Sequence, residues 1–255
     1  MEKLFENKTV LISGGLGDIG FAIALEFAKH GANVALCDLK PVQLASEVLN
    51  KLKQWRILST YHQVDVTDAK AVNDWVIEIE NTTGLASIII PNAATVTLAA
   101  IQDVTSDQWS KELRVNLDGA FHLAQSATNR LLYHKQPGRV AFIGSWAAYT
   151  PHIHIPAYCV AKAGLRMLSR CMALELAPFD ILVNELAPGY VEAGLSGDLW
   201  KNDPGASEIA LQKVPVGRLM SAQQVAEQVL LMCHPNNVHM TGSTILMDGG
   251  LSLRS

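Results

Sequence analysis

Short apolar segments alternate with longer amphipathic stretches along almost the whole chain, and this alternation constrains the fold more than any other feature. Strands are predicted at 9–13, 33–37, 57–63, 87–90, 139–144, 181–186 and 243–247. Helices are predicted at 19–29, 41–54, 68–81, 106–133, 156–176 and 222–232. Because the strands are apolar almost throughout, we expect a parallel sheet that is covered by helices on both faces.

The composition favours one large α/β domain. The 255 residues are 49% hydrophobic and 17% charged, so a large core can form and disorder is disfavoured. We find no internal repeat, low-complexity tract or domain linker, and we expect a single domain over residues 1–255.

The segment at about 192–217 interrupts the alternation. It contains several glycines and prolines and an apolar Leu199-Trp200 pair. A long irregular segment near the end of a compact domain predicts a mobile substrate lid, and an ordinary surface loop is the alternative.

Charge, cysteine spacing and hydropathy argue against several classes of protein. The formal net charge of -4 offers no basic surface to nucleic acid. The four cysteines lack metal-type spacing, so we expect reduced thiols and no metal. Residues 1–8 do not resemble a signal peptide, and no apolar run approaches the roughly 20 residues of a membrane span. We therefore expect a cytoplasmic protein that acts on a small molecule and binds neither membrane nor nucleic acid.

A glycine-rich turn joins the first predicted strand to the first predicted helix. Glycines in such a turn let the backbone approach a pyrophosphate, while the N-terminus of the helix stabilises its negative charge. The strand–turn–helix context is the one that a dinucleotide site requires. The residues assigned to this contact are Gly14, Gly17, Asp18, Ile19 and Gly20.

Polar residues follow the next three strands. Asp38 ends the second strand, where a carboxylate can bond both hydroxyls of an adenosine ribose and would repel a 2′-phosphate. We therefore predict NAD rather than NADP; a loop-capping role for Asp38 is the alternative. Asp65 and Val66 are expected beside the adenine, and Asn92 and Ala93 near the nicotinamide.

A Tyr-x-x-x-Lys pair is the main catalytic candidate. Tyr158 and Lys162 would share one face of a helix, with Ser145 thirteen residues upstream of the tyrosine. A neighbouring ammonium favours the phenolate, so Lys162 should lower the pKa of Tyr158 from about 10. A phenol tuned in this way can exchange a proton beside a carbonyl or alcohol carbon.

Together these motifs resemble the classical short-chain dehydrogenase/reductase family over essentially the whole length. The resemblance implies a Rossmann-type, doubly wound sheet of seven parallel strands, and a homotetramer or dimer built on helices 106–133 and 156–176. It implies that Tyr158 is the general acid/base, that Lys162 lowers its pKa and bonds the nicotinamide ribose, and that Ser145 orients the substrate oxygen. The remaining implied contacts are a proton-relay water on Asn116 and cofactor contacts from Pro188, Gly189 and Val191.

Several positions depart from the family pattern. Asp18 replaces the middle glycine of the turn, and we expect its side chain to point outward and cap the helix. Ser13 replaces a threonine, and Ala94 replaces the glycine of an Asn-Ala-Gly signature. Ala193 stands where the family often has a threonine for the nicotinamide carboxamide, which leaves backbone Val191 for that contact.

Aromatic residues and a histidine are the candidates for the substrate pocket. Trp146, Tyr190 and Trp200 fall where the family lines that pocket, with core packing as the alternative for each. His152, which lies between Ser145 and Tyr158, is a candidate for substrate contact, with an ordinary loop histidine as the alternative. A metal site at His152 and His154 is disfavoured because no acidic or cysteine partner is near in sequence.

These residues predict an NAD(H)-dependent oxidoreductase that interconverts a secondary alcohol and a ketone, with a sugar, polyol or hydroxy acid as substrate. One alternative is an enzyme like the 3-oxoacyl-acyl-carrier-protein reductases, although Asp38 and a weak basic patch argue against it. The other is a non-catalytic dinucleotide-binding protein, which the altered glycine turn motivates and the intact Ser145, Tyr158 and Lys162 oppose.

Overall fold

The fold is built around a central parallel sheet. The structure is a computed structural model that describes residues 3–194, 197 and 204–253. The strands are β1 Thr9–Ser13, β2 Asn33–Asp38, β3 Ser59–Gln63, β4 Ala86–Ile90, β5 Gly138–Ile143, β6 Ile181–Pro188 and β7 Thr244–Met247. They pair in the order β3-β2-β1-β4-β5-β6-β7, and all six pairings are parallel. The predicted seven-stranded, doubly wound sheet is confirmed.

Helices cover both faces of this sheet. They are α1 Asp18–Lys29, α2 Ser46–Lys53, α3 Ala69–Thr82, α4 Ser106–Leu113, α5 Gly119–His134, α6 Pro156–Leu176, α7 Pro204–Lys213 and α8 Ala222–Met232. Alternate residues of β1 enter different cores, because successive strand side chains point to opposite faces. Val10 and Ile12 pack with α1 and α8, whereas Leu11 packs with α3, α5 and α6.

Some predicted boundaries were wrong. The helix predicted at 106–133 is interrupted by a π-helical segment, Arg114–Asp118, between α4 and α5. The helix predicted from residue 41 begins as a 3-10 turn and becomes α-helical only at Ser46. β3 begins two residues later than predicted, because the left-handed backbone at Arg56 keeps the chain turning before it.

The 192–217 segment was predicted to be irregular, and this was wrong for part of it, because the segment contains α7. Its N-terminal end is anchored by a bridge between Val191 and Met220. Trp200, a candidate for the substrate pocket, lies outside the described residues. Across the described ranges, no helix is long and apolar enough to cross a membrane.

Candidate active site

A cavity of about 770 Å³ lies over the carboxyl ends of the central strands. The sheet order reverses between β1 and β4, and ligands of such sheets bind at this reversal. Apart from Asn116, and from Trp200, which lies outside the described residues, every predicted site residue lines the cavity: Gly14, Gly17, Asp18, Ile19, Gly20, Asp38, Asp65, Val66, Asn92, Ala93, Ser145, Trp146, His152, Tyr158, Lys162, Pro188, Gly189, Tyr190 and Val191. The topology therefore brings together residues that are far apart in the sequence.

The glycine turn packs too closely for side chains at two of its positions. A Cβ atom on Gly20 would lie 2.2 Å from the carbonyl oxygen of Gly14. Gly14 itself has a φ of 66°, and a Cβ there would lie 2.9 Å from the Cα of Ala93. No side chain caps α1 at Gly17. The positive end of the helix dipole therefore faces the cavity, where it favours an anion such as a pyrophosphate.

Asp18 does not cap α1, contrary to the prediction. Its Oδ2 atom instead accepts a hydrogen bond of 2.8 Å from the backbone N–H of Gly194. The acceptor and donor are separated by 176 residues, so no local pattern could have revealed this contact. The carboxylate therefore joins the start of α1 to the start of the 192–217 segment.

Ser13 and Asn92 tie the glycine turn to the end of β4. The Ser13 hydroxyl oxygen accepts hydrogen bonds of 3.1 Å from the backbone N–H groups of Asn92 and Ala93. In return, the Asn92 amide donates to the carbonyl oxygens of Ser13 and Gly14. These reciprocal bonds hold the floor of the cavity where β1 and β4 meet.

Asp38 lies at the far end of the cavity, beside the glycine turn. Its Oδ2 accepts a 3.1 Å hydrogen bond from the N–H of Leu16, and its Oδ1 accepts one of 3.2 Å from the N–H of Lys40. Asp38 thus ties the loop after β2 to the glycine turn but caps neither following helical segment, and its carboxylate still lines the cavity. Asp65 similarly accepts from the N–H and hydroxyl of Thr67.

The catalytic candidates converge at the other end of the cavity. Ser145 follows β5, and its hydroxyl oxygen accepts a 3.1 Å hydrogen bond from the N–H of Ala147, which orients the side chain. Tyr158 and Lys162 lie on α6, with the lysine Nζ 5.6 Å from the centroid of the tyrosine ring. Nζ also donates a 2.7 Å hydrogen bond to the carbonyl oxygen of Ile143.

Burial controls the titration of both groups on α6. It raises the pKa of Tyr158 to about 12, and the neighbouring Ser145 hydroxyl only partly offsets this increase. It lowers the pKa of Lys162 to about 8, against the opposing negative charge of Glu185. The prediction that the Tyr158 pKa is lowered was wrong for this structure, because removal from water disfavours the phenolate more than its surroundings stabilise it.

Asn116 and Glu112 hold the loop that follows β4. Asn116 lies in the Arg114–Asp118 π-helical segment, and its amide forms two 2.8 Å hydrogen bonds with the backbone of Thr95. Glu112, about one helical turn earlier, accepts a 3.0 Å hydrogen bond from the N–H of Thr97, and burial raises its pKa. Asn116 therefore shapes the cavity from behind its wall, and the predicted relay water stays a prediction.

The three predicted substrate residues form one aromatic cluster. The ring centroids of Trp146 and His152 are 4.2 Å apart, and those of Trp146 and Tyr190 are 5.3 Å apart in an edge-to-face arrangement. The backbone carbonyl oxygen of His154 accepts a 2.9 Å hydrogen bond from the N–H of Ala99. Throughout the described part of the chain, no group of three or more His, Cys, Asp or Glu residues could hold a metal ion.

Several cavity residues carried no usable sequence signal. Lys111 on α4 and Lys213 at the end of α7 line the substrate end of the cavity, and so do the apolar Leu98 and Ile153. A lysine on an amphipathic helix is indistinguishable in sequence from one on a solvated face. These residues are identified only by the way in which the loops and helices fold over the sheet.

A buried ion pair supports the catalytic end from beneath. Glu185 on β6 is fully buried, and its Oε2 accepts a 3.1 Å hydrogen bond from Nε of Arg166 and one of 2.7 Å from Thr244. The guanidinium of Arg166 also stacks 3.3 Å from the ring centroid of Tyr149. Glu185 thereby places a negative charge within reach of Lys162.

Comparison with known proteins gives matches over nearly the whole chain. The family model described as enoyl-(acyl carrier protein) reductase matches residues 15–252. A 2,3-dihydro-2,3-dihydroxybenzoate dehydrogenase of Bacillus subtilis is 28% identical over 258 aligned residues, covering 98% of each chain.

Solved structures share the fold at similar sequence identity. A protein of Agrobacterium tumefaciens with bound NADP is 25% identical, covers 99% of both chains and has a TM-score of 0.89. An NAD+-bound xylitol dehydrogenase is also 25% identical, with 96% of this chain and 99% of that one covered and a TM-score of 0.90. The chain therefore belongs to the classical short-chain dehydrogenase/reductase family of oxidoreductases.

Proposed function

We propose that the protein is an NAD(H)-dependent oxidoreductase that interconverts a secondary alcohol and a ketone. One observation carries this proposal: a single cavity has Ser145, Tyr158 and Lys162 at one end and the glycine turn with Asp38 at the other. Such a cavity can hold a dinucleotide along its length and a small alcohol beside the phenol.

The residues of the cavity fit a nicotinamide dinucleotide. A Cβ atom on Gly14 or Gly20 would meet backbone atoms of the protein itself, so these glycines permit the tight turn that a dinucleotide site uses. The uncapped start of α1 supplies the positive end of a helix dipole. The Asp18 carboxylate is the one unfavourable charge here, and its bond to Gly194 keeps it engaged with the protein.

The preference for NAD over NADP rests on Asp38. Its carboxylate lines the cavity at the end of β2, where it would accept hydrogen bonds from ribose hydroxyls and repel a 2′-phosphate. Family members with solved structures include both an NAD+-bound and an NADP-bound protein, so the fold alone does not select the cofactor. The charge on this single side chain supports the NAD assignment.

Proton transfer is assigned to Tyr158. With a pKa of about 12, the phenol keeps its proton at neutral pH and can donate it to a carbonyl oxygen as the ketone is reduced. In oxidation the phenol first releases its proton to solvent, and the phenolate oxygen then accepts the proton of the alcohol; Lys162, whose Nζ lies 5.6 Å from the centroid of the tyrosine ring, is the neighbouring cation. Ser145 holds the substrate oxygen through its hydroxyl proton. A bound nicotinamide accepts or supplies the hydride.

The assembly proposed is a homotetramer, with a dimer as the alternative. Val160, Met167 and Leu174 follow one another at seven-residue spacing along α6 and are 49%, 56% and 81% exposed. An exposed apolar stripe on a long helix supports burial against another copy of the chain.

All four cysteines are free thiols, which supports a cytoplasmic location.

The direct test follows reduced nicotinamide by its absorbance while NAD and a panel of secondary alcohols are mixed with the protein. We expect NAD-dependent turnover that falls by at least about 100-fold in Tyr158→Phe, as for loss of a general acid/base. Undiminished turnover in that variant would contradict the role of Tyr158. Equal use of NADP and NAD would contradict the role of Asp38.

A 3-oxoacyl-acyl-carrier-protein reductase is the second candidate, favoured by a relative of that name from Aquifex aeolicus that is 27% identical over 254 residues. It predicts NADPH-dependent reduction of an acetoacetyl thioester in preference to oxidation of any small alcohol. A non-catalytic dinucleotide-binding protein would instead bind NAD without turnover of either substrate. The same absorbance assay, with a parallel NAD binding titration, distinguishes these three outcomes.

A further inference from the structure

The described acidic residues that line the cavity are confined to its dinucleotide end, where Lys40 lies among them, and further lysines line the other end. The acidic residues that line it are Asp18, Asp38 and Asp65, and all three lie at the dinucleotide end. The substrate end carries Lys111 and Lys213, and, within residues 3–194, 197 and 204–253, no carboxylate lines it. A substrate that enters this end therefore meets two lysines that line the cavity, while the charge of Glu112, which also acts on Tyr158, lies behind the cavity wall.

The positive charge of Lys213 acts on the aromatic cluster. Its charge, after the larger effect of burial, lowers the pKa of His152, so its ammonium acts directly on the imidazole that stacks on Trp146. Lys213 lies in the last turn of α7 and forms no salt bridge with any described residue. A cation in this position is available to a ligand.

His152 adds an unused polar atom beside this lysine. Its Nε2 is buried and has no hydrogen-bond partner among the described residues. A buried polar atom without a partner is costly, and a ligand that bonds it removes that cost. Since burial and Lys213 both disfavour the charged imidazole, His152 offers a neutral ring nitrogen rather than a second cation.

The residues around these polar groups are mainly apolar. Trp146 is 8% exposed and presents its ring with Tyr190 edge to face. At the mouth, Leu98 and Ile153 line the cavity and are 56% and 85% exposed. An exposed apolar rim beside an aromatic wall suits the carbon skeleton of a ring or branched chain better than a polyol that is hydroxylated at every carbon.

We propose that the substrate is a hydroxy acid whose carboxylate pairs with Lys213 and accepts a hydrogen bond from the Nε2–H of His152, while its secondary hydroxyl lies at Ser145 and Tyr158. The carbon skeleton packs against Trp146. This inference rests on the proposed function and selects the hydroxy acid from the sugars, polyols and hydroxy acids. Lys213 is a specificity-determining residue in this arrangement and takes no part in proton transfer.

The test compares two probes that differ only in charge, 3-hydroxycyclohexanecarboxylate and its carboxamide. We expect kcat/KM for the carboxylate to exceed that for the carboxamide by about 10- to 100-fold, the range of a charge-assisted hydrogen bond. Lys213→Met should lower this ratio by about 10-fold, mainly through KM for the carboxylate. Lys53→Met, on the exposed surface of α2, is the matched control and should leave the ratio unchanged.

A binding measurement separates failure of this inference from failure of the proposed function. Calorimetric titration of cyclohexanecarboxylate and cyclohexanecarboxamide into the protein with NAD requires no turnover. Preferential binding of the carboxylate that is lost in Lys213→Met supports the inference even if no alcohol is oxidised. Three results overturn the inference: equal binding of the two probes, binding of neither, or a preference that Lys213→Met does not change. This holds even if the protein oxidises alcohols without regard to their charge, in which case the proposed function stands and the inference fails.

Discussion

Replacing Glu185 by glutamine should destabilise the protein substantially, although the side chain hardly changes in volume. Glu185 is 0% exposed and its partner Arg166 is 17% exposed. Breaking a buried ion pair by neutralising one partner typically costs about 3–5 kcal/mol, because the other charge is left buried. Arg166 keeps some access to water, its bond to the carbonyl oxygen of Ala148 and its stacking on Tyr149. We therefore expect a loss of about 2–3 kcal/mol, below that range.

Urea denaturation followed by circular dichroism measures this loss, which corresponds to a fall of about 5–10 °C in Tm for a chain of this size. Glu47→Gln is the matched control, because it removes the same charge from an exposed pair with Lys51 on α2 and should change nothing measurable. In a double-mutant cycle, Arg166→Met should cost much less in the Glu185→Gln background than in the wild type. Additive losses, or a loss below about 0.5 kcal/mol for Glu185→Gln, would refute the reasoning.

The same substitution tests the link between Glu185 and Lys162. The Glu185 charge opposes the effect of burial, which lowers the pKa of Lys162 to about 8. Without that charge the pKa should fall further, and NMR titration of the labelled lysine side chain measures the change. An unchanged or higher lysine pKa in Glu185→Gln would show that the two groups do not interact.

Three further predictions follow from the site. In Gly20→Ala the new Cβ would lie 2.2 Å from the carbonyl oxygen of Gly14 and would distort the turn. We therefore expect the NAD affinity measured by fluorescence titration to fall at least about 10-fold, with an unchanged circular dichroism spectrum. Unchanged affinity would show that the turn does not contact the cofactor. Asp18→Asn keeps an acceptor for the N–H of Gly194 but removes a charge, and NAD should bind roughly fivefold more tightly, the effect of about 1 kcal/mol of repulsion; weaker binding would contradict this. The pKa of Lys162 is about 8 in the folded protein, whereas an ordinary solvated lysine has a pKa of 10.5. The unfolded state therefore binds more protons between these values, and the lysine's contribution to stability should rise with pH across them. The free energy of unfolding of wild type and Lys162→Met should differ in its slope with pH over this range, and equal slopes would contradict the lowered pKa.

The sequence predicted the sheet and most of the site for the same physical reason. Apolar strands that alternate with amphipathic helices have few ways to bury both faces of a sheet, and parallel strands place all their carboxyl ends at one edge. The residues that follow those ends, including Asp38, Asn92 and Ser145, must therefore meet there. Spacing along one helix likewise placed Tyr158 and Lys162 together.

Helix continuity was less predictable. The stretch from 106 to 133 has the periodicity of one helix, yet the Arg114–Asp118 segment widens into a π turn. Asn116 lies in that segment and bonds the backbone of Thr95, a contact between two elements that the periodicity of one element does not contain.

Tertiary structure alone decided the charges and long-range contacts of the site. Depth of burial, which a sequence does not specify for a single side chain, raises the pKa of Tyr158 against the expected effect of Lys162. Asp18 bonds Gly194 across 176 residues, and Lys213 acts on His152 from a different element. The sequence by itself thus determined the fold and which residues meet at the sheet edge, because these depend on periodicity and strand direction. Only the folded chain decided how those residues are charged and what faces the substrate, because solvation and loop paths depend on every element packed around them.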